Sequence, residues 1–231
     1  MKLEIAEHNE IKFMHRPGYS DLKSFQEVVI KNNYQKRGLK IEPGEKWIDA
    51  GGNVGAFAVL ACSLGAKVKV FEPDPYSCKL IEKNLKINNY EAEIIQAALM
   101  HDNTKQANLY VGNNNNVWRN SLIKNWCGKG INVPCVNFDE VVGDYDNCKM
   151  DIEGAEMPIL ENTNIVFNKL VYEWSFDIDP SLERIWKLLD KQKLSYEVKT
   201  AWNTICYETK KEYYWQQSWF PPCINVHCFK K

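Results

Sequence analysis

The chain has 231 residues, of which 45% are hydrophobic and 26% are charged. This length allows one substantial α/β domain and is short for two. The formal net charge is -1, from 29 Lys and Arg against 30 Asp and Glu, and the charges are mixed along the chain with no basic stripe for a phosphate backbone. The composition therefore argues against nucleic acid as a partner.

The cysteine pattern and the hydropathy bear on the compartment. The eight cysteines include no CxxC pair, which is typical of buried thiols in a reducing compartment. No apolar stretch is long enough to cross a bilayer, and the opening MKLEIAEHNE lacks the basic and apolar regions of a signal peptide. We expect a cytoplasmic protein without a membrane partner, and the sequence leaves its oligomeric state open.

The first segment, residues 1–45, is predicted to be a helical cap. Ser20–Gln35 has an amphipathic pattern, with Phe25, Val28 and Val29 mostly on one side. The simplest role for this helix is to cover a sheet edge. An alternative is that it closes over a bound ligand through Tyr34 or a neighbour.

From Trp47 onward, short β-rich runs alternate with longer helical ones, which predicts a parallel sheet with crossover helices. The predicted strands are Trp47–Ala50, Val68–Phe71, Ile94–Ala97, Lys149–Ile152, Leu170–Trp174, Ser195–Thr200, and a late pair near Ile205–Glu208 and Ile224–Phe229. Asp74 with Pro75, and Asp179 with Pro180, predict two helix starts. We therefore expect one α/β domain over 1–231, with its core in 46–231.

The stretch WIDAGGNVGAFAVL describes a strand, a sharp turn and a helix. Gly51 and Gly55 lack a Cβ, so a ligand can lie directly on the main chain. Asn53 is a suitable N-cap for the helix that follows. Asp49, just before the turn, is suited to a cationic amino group.

A second strand delivers Glu72 at its carboxyl end, about 20 residues beyond the glycines, where doubly wound folds bind the hydroxyls of a ribose. Read from Ala50, the turn is AxGxxG, a degenerate dinucleotide fingerprint, so an NAD-dependent oxidoreductase is an alternative. Asp49 favours S-adenosylmethionine, because the methionine ammonium needs an acidic partner and a nicotinamide dinucleotide does not. We predict an S-adenosylmethionine site.

Two further regions carry candidate chemistry. Residues 112–130 interrupt the α/β alternation with polar sequence and are predicted to be an inserted loop that covers the substrate, with aromatic and amide side chains suited to sugars. In KMDIEGAEMPIL a strand places Asp151 near its end and Glu153 and Glu156 in the turn beyond. Glu173 follows in the next strand. These acids should converge on the edge that carries the glycine turn.

In this order and spacing, IDAGGNVG, FEPDP with a downstream KNLKINN, and MDIEGAE resemble the motifs of the FkbM-type S-adenosylmethionine-dependent methyltransferases. The resemblance implies a class I, Rossmann-like methyltransferase fold with a mostly parallel seven-stranded sheet and helices on both faces. It also implies O-methylation of a sugar or glycan hydroxyl. Family members often carry alanine where this chain has Gly52. A methyltransferase for a non-sugar small molecule remains an alternative.

The candidate residues fall into three groups. Those expected to hold the cofactor are Asp49, Ala50, Gly51, Asn53, Gly55, Glu72, Pro73, Asp74, Ala97, Ala98 and Asp151. Those expected to meet the substrate are Asn116, Trp118, Arg119, Ser121 and Glu153. Those expected to be catalytic are Asp151, as the general base for the acceptor hydroxyl, Glu173 and Glu153. The same acids permit Mg²⁺, which we do not favour because no third ligand is evident.

Overall fold

The computed structural model describes residues 2–112, 120–125, 129–175, 178–179, 181–201, 205–206, 211–212 and 223–231. The strands are β1 (Glu4–His8), β2 (Ile11–His15), β3 (Lys46–Ala50), β4 (Lys67–Phe71), β5 (Glu93–Ile95), β6 (Ala98–Met100), β7 (Gln106–Tyr110), β8 (Gly130–Asn137), β9 (Asn147–Met150), β10 (Lys169–Ser175), β11 (Tyr196–Ala201), β12 (Ile205–Cys206), β13 (Lys211–Glu212) and β14 (Cys223–Lys230). The helices are α1 (Asp21–Phe25), continued by a π-helical turn over Gln26–Ile30, α2 (Ala56–Ser63), α3 (Pro75–Ile87), α4 (Phe138–Val141), α5 (Glu156–Asn162) and α6 (Leu182–Gln192).

Seven strands form the central sheet, in the order β11–β14–β10–β9–β3–β4–β5. The five strands from β10 to β5 run parallel, whereas β14 is antiparallel to both β10 and β11. Apolar clusters pack on both faces of this sheet. The predicted α/β fold, with a mostly parallel seven-stranded sheet between helices, is confirmed.

The two faces of β3 explain its continuous burial. Ile48 and Ala50 pack into the core that α4, α5 and α6 complete, while Trp47 packs into the core beneath α2, α3 and the N-terminal segment. A strand covered on both faces has no polar side, so its sequence is a short apolar run rather than an alternation. This is why the sequence indicates this strand so clearly.

The strand order reverses beside β3. The chain passes from β3 to β4 and β5 on one side, and later returns to β9 on the other. The carboxyl ends of β3 and β9 therefore flank a topological switch point, where open α/β sheets bind their ligands.

The strand predicted over Ile94–Ala97 is present as β5, but it ends at Ile95. A tight turn, in which the Ala97 N–H donates to Ile95 O at 2.9 Å, ends β5 and redirects the chain. The next residues form β6, which joins β8 and β7 in a separate three-stranded sheet. The late strand near Ile205–Glu208 also differs, because β12 pairs with β13 outside the central sheet.

The N-terminal segment is not only helical. It opens with the hairpin β1–β2, whose two-residue turn places Asn9 and Glu10 at φ 47° and 67°. Asn84 of α3 anchors this hairpin, since its Oδ1 accepts from Met14 N at 2.6 Å and its Nδ2 donates to Met14 O at 3.1 Å. The helix predicted over Ser20–Gln35 is shorter in the structure, where α1 covers Asp21–Phe25 and the π-helical turn covers Gln26–Ile30.

Of the two predicted helix starts, one is confirmed and the other is displaced. Asp74 caps α3, with Pro75 as its first residue, as predicted. Ser181, rather than Asp179, caps α6 by accepting a hydrogen bond from Arg184 N at 3.2 Å. Asp179 instead accepts from Arg184 Nη1 at 2.6 Å. No helix within the described ranges combines the length and apolarity needed to cross a bilayer.

Candidate active site

A cavity opens at the switch point, beyond the carboxyl ends of β3, β4 and β9. Its empty volume is about 560 Å³, a figure that includes the open solvent at its mouth. It is lined by Gly51, Asn53, Phe71, Glu72, Pro73, Ser77, Ala97, Ala98, Leu99, Leu109, Asn120, Leu122, Asp151, Ile152, Glu153 and Ala155. Of the residues predicted to hold a cofactor, seven line this cavity and four do not, namely Asp49, Ala50, Gly55 and Asp74.

The glycine turn lies against the acidic loop that follows β9. Gly51 has φ 80°, and a Cβ at this position would lie 1.9 Å from Asp151 O. The N–H groups of Gly51 and Gly52 both donate to Phe71 O, at 2.9 and 3.1 Å. Only glycine fits at position 51, so one wall of the cavity is bare main chain.

Asn53 does not cap α2, contrary to our expectation. The capping position belongs to Gly55, at φ 90°, which packs against α3. Asn53 adopts φ 49° instead, and this directs its backbone N–H to Glu72 Oε2 at 2.7 Å. The residue therefore serves the cavity through its backbone.

Glu72 follows β4 directly and is oriented from two sides. Besides the Asn53 N–H, the Asp74 N–H donates to Oε1 at 2.9 Å. The side chain is almost fully buried at the cavity wall, and burial raises the pKa of Glu72 to about 8. The carboxylate is thus held in one orientation, with lone pairs left for a ligand.

The carboxylate of Asp74 is committed to the start of α3. It accepts from Tyr76 N at 3.3 Å, from Ser77 N at 3.1 Å and from Ser77 Oγ at 2.8 Å. The predicted ligand contact is therefore replaced by a helix cap. Asp74 still contributes to the site through its backbone N–H on Glu72.

Asp49 meets an ammonium group, but one from the protein itself. Lys149 Nζ donates to Asp49 Oδ1 at 3.0 Å, and also to Ala50 O at 3.3 Å and Gly51 O at 2.7 Å. Burial opposes the charge of Lys149, but the neighbouring carboxylates, Asp49 foremost, hold its pKa above the ordinary value. Asp49 is fully buried, and its Oδ2 has no hydrogen-bond partner among the described residues. The contact of Asp49 with a methionine ammonium stays a prediction.

Lys149 is a site residue that sequence reasoning missed. We read it as the first residue of a strand, although a lysine within a strand buried on both faces is a signal, because such a charge requires a partner. Ala50, predicted to touch the cofactor, instead points into the core and contributes its carbonyl oxygen to Lys149.

The three acids of the MDIEGAE motif have different positions. Asp151 and Glu153 line the cavity. Glu156 lies behind the loop, where its Oε1 accepts from Ile152 N at 2.6 Å and its Oε2 from Gly154 N at 2.7 Å. Burial raises the pKa of Glu156 to about 7. Glu156 therefore holds the loop, whereas the other two acids lie at the cavity wall.

Asp151 also contacts the N-terminal segment. Tyr34 donates its hydroxyl to Asp151 Oδ2 at 2.6 Å. Glu173, the second candidate base, lies on β10, one strand further from the switch point and outside the cavity lining. The structure thus brings Asp151 and Glu153 together at the cavity and leaves Glu173 beside it.

The predicted substrate residues are only partly described. Asn116, Trp118 and Arg119 lie outside the described residues. Ser121 is fully buried, and its hydroxyl donates to Glu153 O at 2.6 Å while it accepts from the N–H groups of Ile123 and Lys124. This hydroxyl ties the inserted segment to the acidic loop and has no position open to a substrate.

The cavity wall between β7 and β8 was not predicted. Asn120 lines the cavity, and its Oδ1 accepts from Gly112 N at 3.0 Å. Leu109 and Leu122 complete this wall.

As for metals, the part of the chain that the structure describes contains no group of three or more His, Cys, Asp or Glu placed to hold one.

Comparison with known proteins adds sequence and fold relationships. Over 95 residues the chain is 32% identical to a tRNA (uracil(54)-C(5))-methyltransferase of Pyrococcus furiosus, a match covering 41% of this chain and only 22% of that enzyme. The corresponding enzyme of Pyrococcus abyssi, solved with S-adenosyl-L-homocysteine, superposes with a TM-score of 0.52 at 16% identity, covering 99% of this chain and 44% of that one.

A protein of Streptococcus mutans named as a methyltransferase, solved with S-adenosylhomocysteine, superposes with a TM-score of 0.52 at 13% identity and covers 87% of this chain and 97% of its own. At such identities the solved structures establish the fold alone. The family model described as the methyltransferase FkbM domain matches residues 49–198, from the strand before the glycine turn to β11. Since that match spans more than half of the chain, the resemblance seen in the motifs is confirmed, and the protein belongs to the FkbM methyltransferase domain family.

Proposed function

We propose that this protein is an S-adenosylmethionine-dependent O-methyltransferase that acts on a hydroxyl of a sugar or glycan, with Asp151 as the general base. The observation that carries the proposal is that Asp151 and Glu72, from the ends of different strands, line one cavity beside a turn of bare main chain. The family match displaces the NAD-dependent oxidoreductase that the AxGxxG pattern allowed.

The residues of the cavity fit the cofactor. Glu72 is oriented by two N–H donors, as a carboxylate that accepts from both ribose hydroxyls needs to be. Pro73, Ala97 and Ala98 offer an apolar wall for the adenine ring of the cofactor, and Gly51 lets the cofactor approach the backbone. When bound, S-adenosylmethionine supplies a methyl group activated by its sulfonium.

Asp151 would take the proton of the acceptor hydroxyl. An aliphatic hydroxyl is a weak nucleophile until its proton leaves, and a carboxylate within hydrogen-bond reach accepts that proton as the transition state forms. Oδ2 of Asp151 is held by Tyr34, so Oδ1 is the oxygen assigned to this task. Glu153, 9% exposed at the same wall, is suited to orient further hydroxyls of the acceptor.

The charge of the cavity favours a neutral polyol as acceptor. Its described lining includes Asp151 and Glu153, together with Glu72, whose pKa of about 8 leaves it mostly uncharged at neutral pH while the cavity is empty, and, within the described part of the chain, neither Lys nor Arg. A phosphate would be repelled at such a wall, whereas sugar hydroxyls donate well to carboxylates and to the amide of Asn120.

RNA is the second candidate, because the relatives from Pyrococcus are named as tRNA methyltransferases. RNA binding usually depends on a basic surface, and the balanced net charge of -1 does not favour it. We therefore give precedence to a carbohydrate acceptor and make RNA an outcome of the test.

The test is transfer of labelled methyl from S-adenosylmethionine to a panel of neutral glycans, nucleotide sugars, non-sugar alcohols and tRNA, read by mass analysis. We expect label on a glycan hydroxyl, loss of turnover in Asp151→Asn with cofactor binding retained, and weaker cofactor binding in Glu72→Ala. Asp144→Asn is the matched control, since Asp144 pairs with Lys46 at the amino end of β3, away from the cavity. Label on tRNA would refute the carbohydrate acceptor. Normal turnover in Asp151→Asn would refute the assignment of Asp151 as the general base.

A further inference from the structure

A hydrogen bond connects the N-terminal segment to the acidic loop. The Tyr34 hydroxyl lies 2.6 Å from Asp151 Oδ2, across 117 residues of chain. Tyr34 precedes the region that the family model matches, which starts at residue 49. The contact therefore belongs to a part of this chain whose role the family does not define.

The ring of Tyr34 is fixed by its surroundings. It is 7% exposed and meets Phe57 of α2 edge-on, with centroids 5.8 Å apart and an interplanar angle of 87°. Lys149 Nζ lies over the ring, 5.5 Å from its centroid. Burial, and then the charge of Asp151, hold the pKa of Tyr34 well above its usual value, so the hydroxyl remains a donor.

We propose that Tyr34 is a positioning residue for methyl transfer: its hydroxyl fixes Oδ2 of Asp151 and so leaves Oδ1 as the oxygen that accepts the proton of the substrate. This inference rests on the proposed function. A carboxylate at a cavity wall that is not held by a hydrogen bond rotates readily about its terminal torsion. One short hydrogen bond from a buried, immobile ring removes that freedom.

The expected size of the effect follows from the geometry that proton transfer requires. A base misplaced by about 1 Å loses up to about 100-fold in rate. Without its partner, the carboxylate of Asp151 samples several orientations, and only a fraction of them face the acceptor. The N-terminal segment is then a component of the catalytic site rather than only a cover for the sheet.

The experiment compares Tyr34→Phe with wild type in the full chain. This variant removes one oxygen and keeps the ring that packs on Phe57. We expect kcat to fall about 10-fold or more, while the Kd for S-adenosylhomocysteine changes less than about twofold. Placing 4-aminophenylalanine at position 34 restores an N–H donor at the same place and should recover most of kcat.

Tyr172→Phe is the matched control. Tyr172 is another fully buried tyrosine, whose hydroxyl donates to Gln192 Oε1 at 2.9 Å within the core on the opposite face of the sheet. Tyr172→Phe should lose about as much thermal stability as Tyr34→Phe and keep the kcat of the wild type. In the Asp151→Asn background, Tyr34→Phe should have no further effect on residual turnover, because the group that it positions is gone.

The outcomes separate this inference from the proposed function. Unchanged kcat in Tyr34→Phe, with Asp151→Asn inactive, would overturn the role of Tyr34 and leave the proposed base intact. An equal loss of kcat in Tyr34→Phe and Tyr172→Phe would reduce the contact to a structural one. Normal turnover in Asp151→Asn would remove the base itself, and with it the premise of this inference.

Discussion

Lys149 and Asp49 form an ion pair that is almost completely excluded from solvent, with Nζ 3.0 Å from Oδ1 and side-chain exposures of 5% and 0%. The same ammonium group also binds the carbonyl oxygens of Ala50 and Gly51, so its three donors are all used at the end of β3. The pair therefore joins β9 to the glycine turn. Oδ1 of Asp49 is paired from within the protein and so holds the turn, whereas Oδ2 has no hydrogen-bond partner among the described residues.

Lys149→Met should be strongly destabilising. It leaves the Asp49 carboxylate buried without a partner, and such a loss costs about 3–5 kcal/mol in the free energy of unfolding. The double variant Asp49→Asn/Lys149→Met removes both charges and should recover a large part of this loss. Urea denaturation of the four proteins in the cycle measures the coupling directly.

Lys46→Met is a suitable control for this cycle. Lys46 pairs with Asp144, whose side chain is 77% exposed, so the urea concentration at the midpoint of unfolding should remain nearly unchanged in Lys46→Met. Additive effects of the two core substitutions, with no recovery in the double variant, would show that the pair is not the unit that stabilises the turn.

Glu72 should make cofactor binding depend on pH. Its pKa of about 8 in the empty cavity means that the carboxyl is largely protonated at pH 6. Two ribose hydroxyls donate best to an ionised carboxylate whose other lone pairs already accept from Asn53 and Asp74. Calorimetry should therefore show the affinity for S-adenosylhomocysteine rising between pH 6 and pH 8, by up to about 10-fold per pH unit.

Glu72→Gln is the control for this pH dependence, with weaker affinity that is flat over the same range. A second measurement fixes the sign independently. Because burial raises the folded-state pKa of Glu72, its favourable contribution to stability is fully present below about pH 4.5 and is lost as the pH rises through about 8. Glu72→Gln should thus gain in melting temperature relative to wild type as the pH increases, and a constant difference would contradict the raised pKa.

Glu156→Gln should loosen the acidic loop. The two oxygens of Glu156 accept from Ile152 N and Gly154 N, and an amide in their place turns one acceptor into a donor that faces another donor. The expected cost is about 1–3 kcal/mol in the free energy of unfolding, with a fall in kcat because Asp151 lies on the same loop. Glu140→Gln, at an exposed position of α4, should change neither activity nor stability to a similar degree. An active and fully stable Glu156→Gln would contradict this role.

The sequence predicted the elements whose signals are local. β3 and β4 are short apolar runs because both faces of the sheet are covered, and Gly51 and Glu72 follow them at the expected spacing. The three-stranded sheet was missed because half of the residues of β8 are exposed and the strand contains Pro134, so it lacks the apolar run that marks β3 and β4.

What the sequence could not supply was the pairing of residues far apart in the chain. The pairing of Asp49 with Lys149 was not predicted, because Lys149 lies 100 residues later and its direction depends on the register of β9 against β3. Tyr34 was considered only as a residue that closes over a ligand, since nothing near it in the sequence indicates Asp151. Buried polar contacts of this kind follow from the packed fold, not from spacing.

Position 52 offers a test of the packing behind the turn. Family members often carry alanine here, and the backbone of Gly52 has no positive φ that would exclude it. A Cβ at this position would, however, lie 2.3 Å from Val70 Cγ1 and 3.0 Å from Ile81 Cδ1. We infer that Val70 occupies the space that an alanine methyl requires.

Gly52→Ala alone should therefore lower the free energy of unfolding by about 1–3 kcal/mol through overpacking. Combined with Val70→Ala, which frees that space, it should cost less than the sum of the two single changes, as measured by urea denaturation. Gly51→Ala is the contrasting case, because its Cβ would meet the backbone oxygen of Asp151 at 1.9 Å and its φ is +80°. Val70→Ala cannot relieve a clash with main chain, so rescue of both alanine variants to the same extent would show that Val70 does not set the choice of residue at position 52.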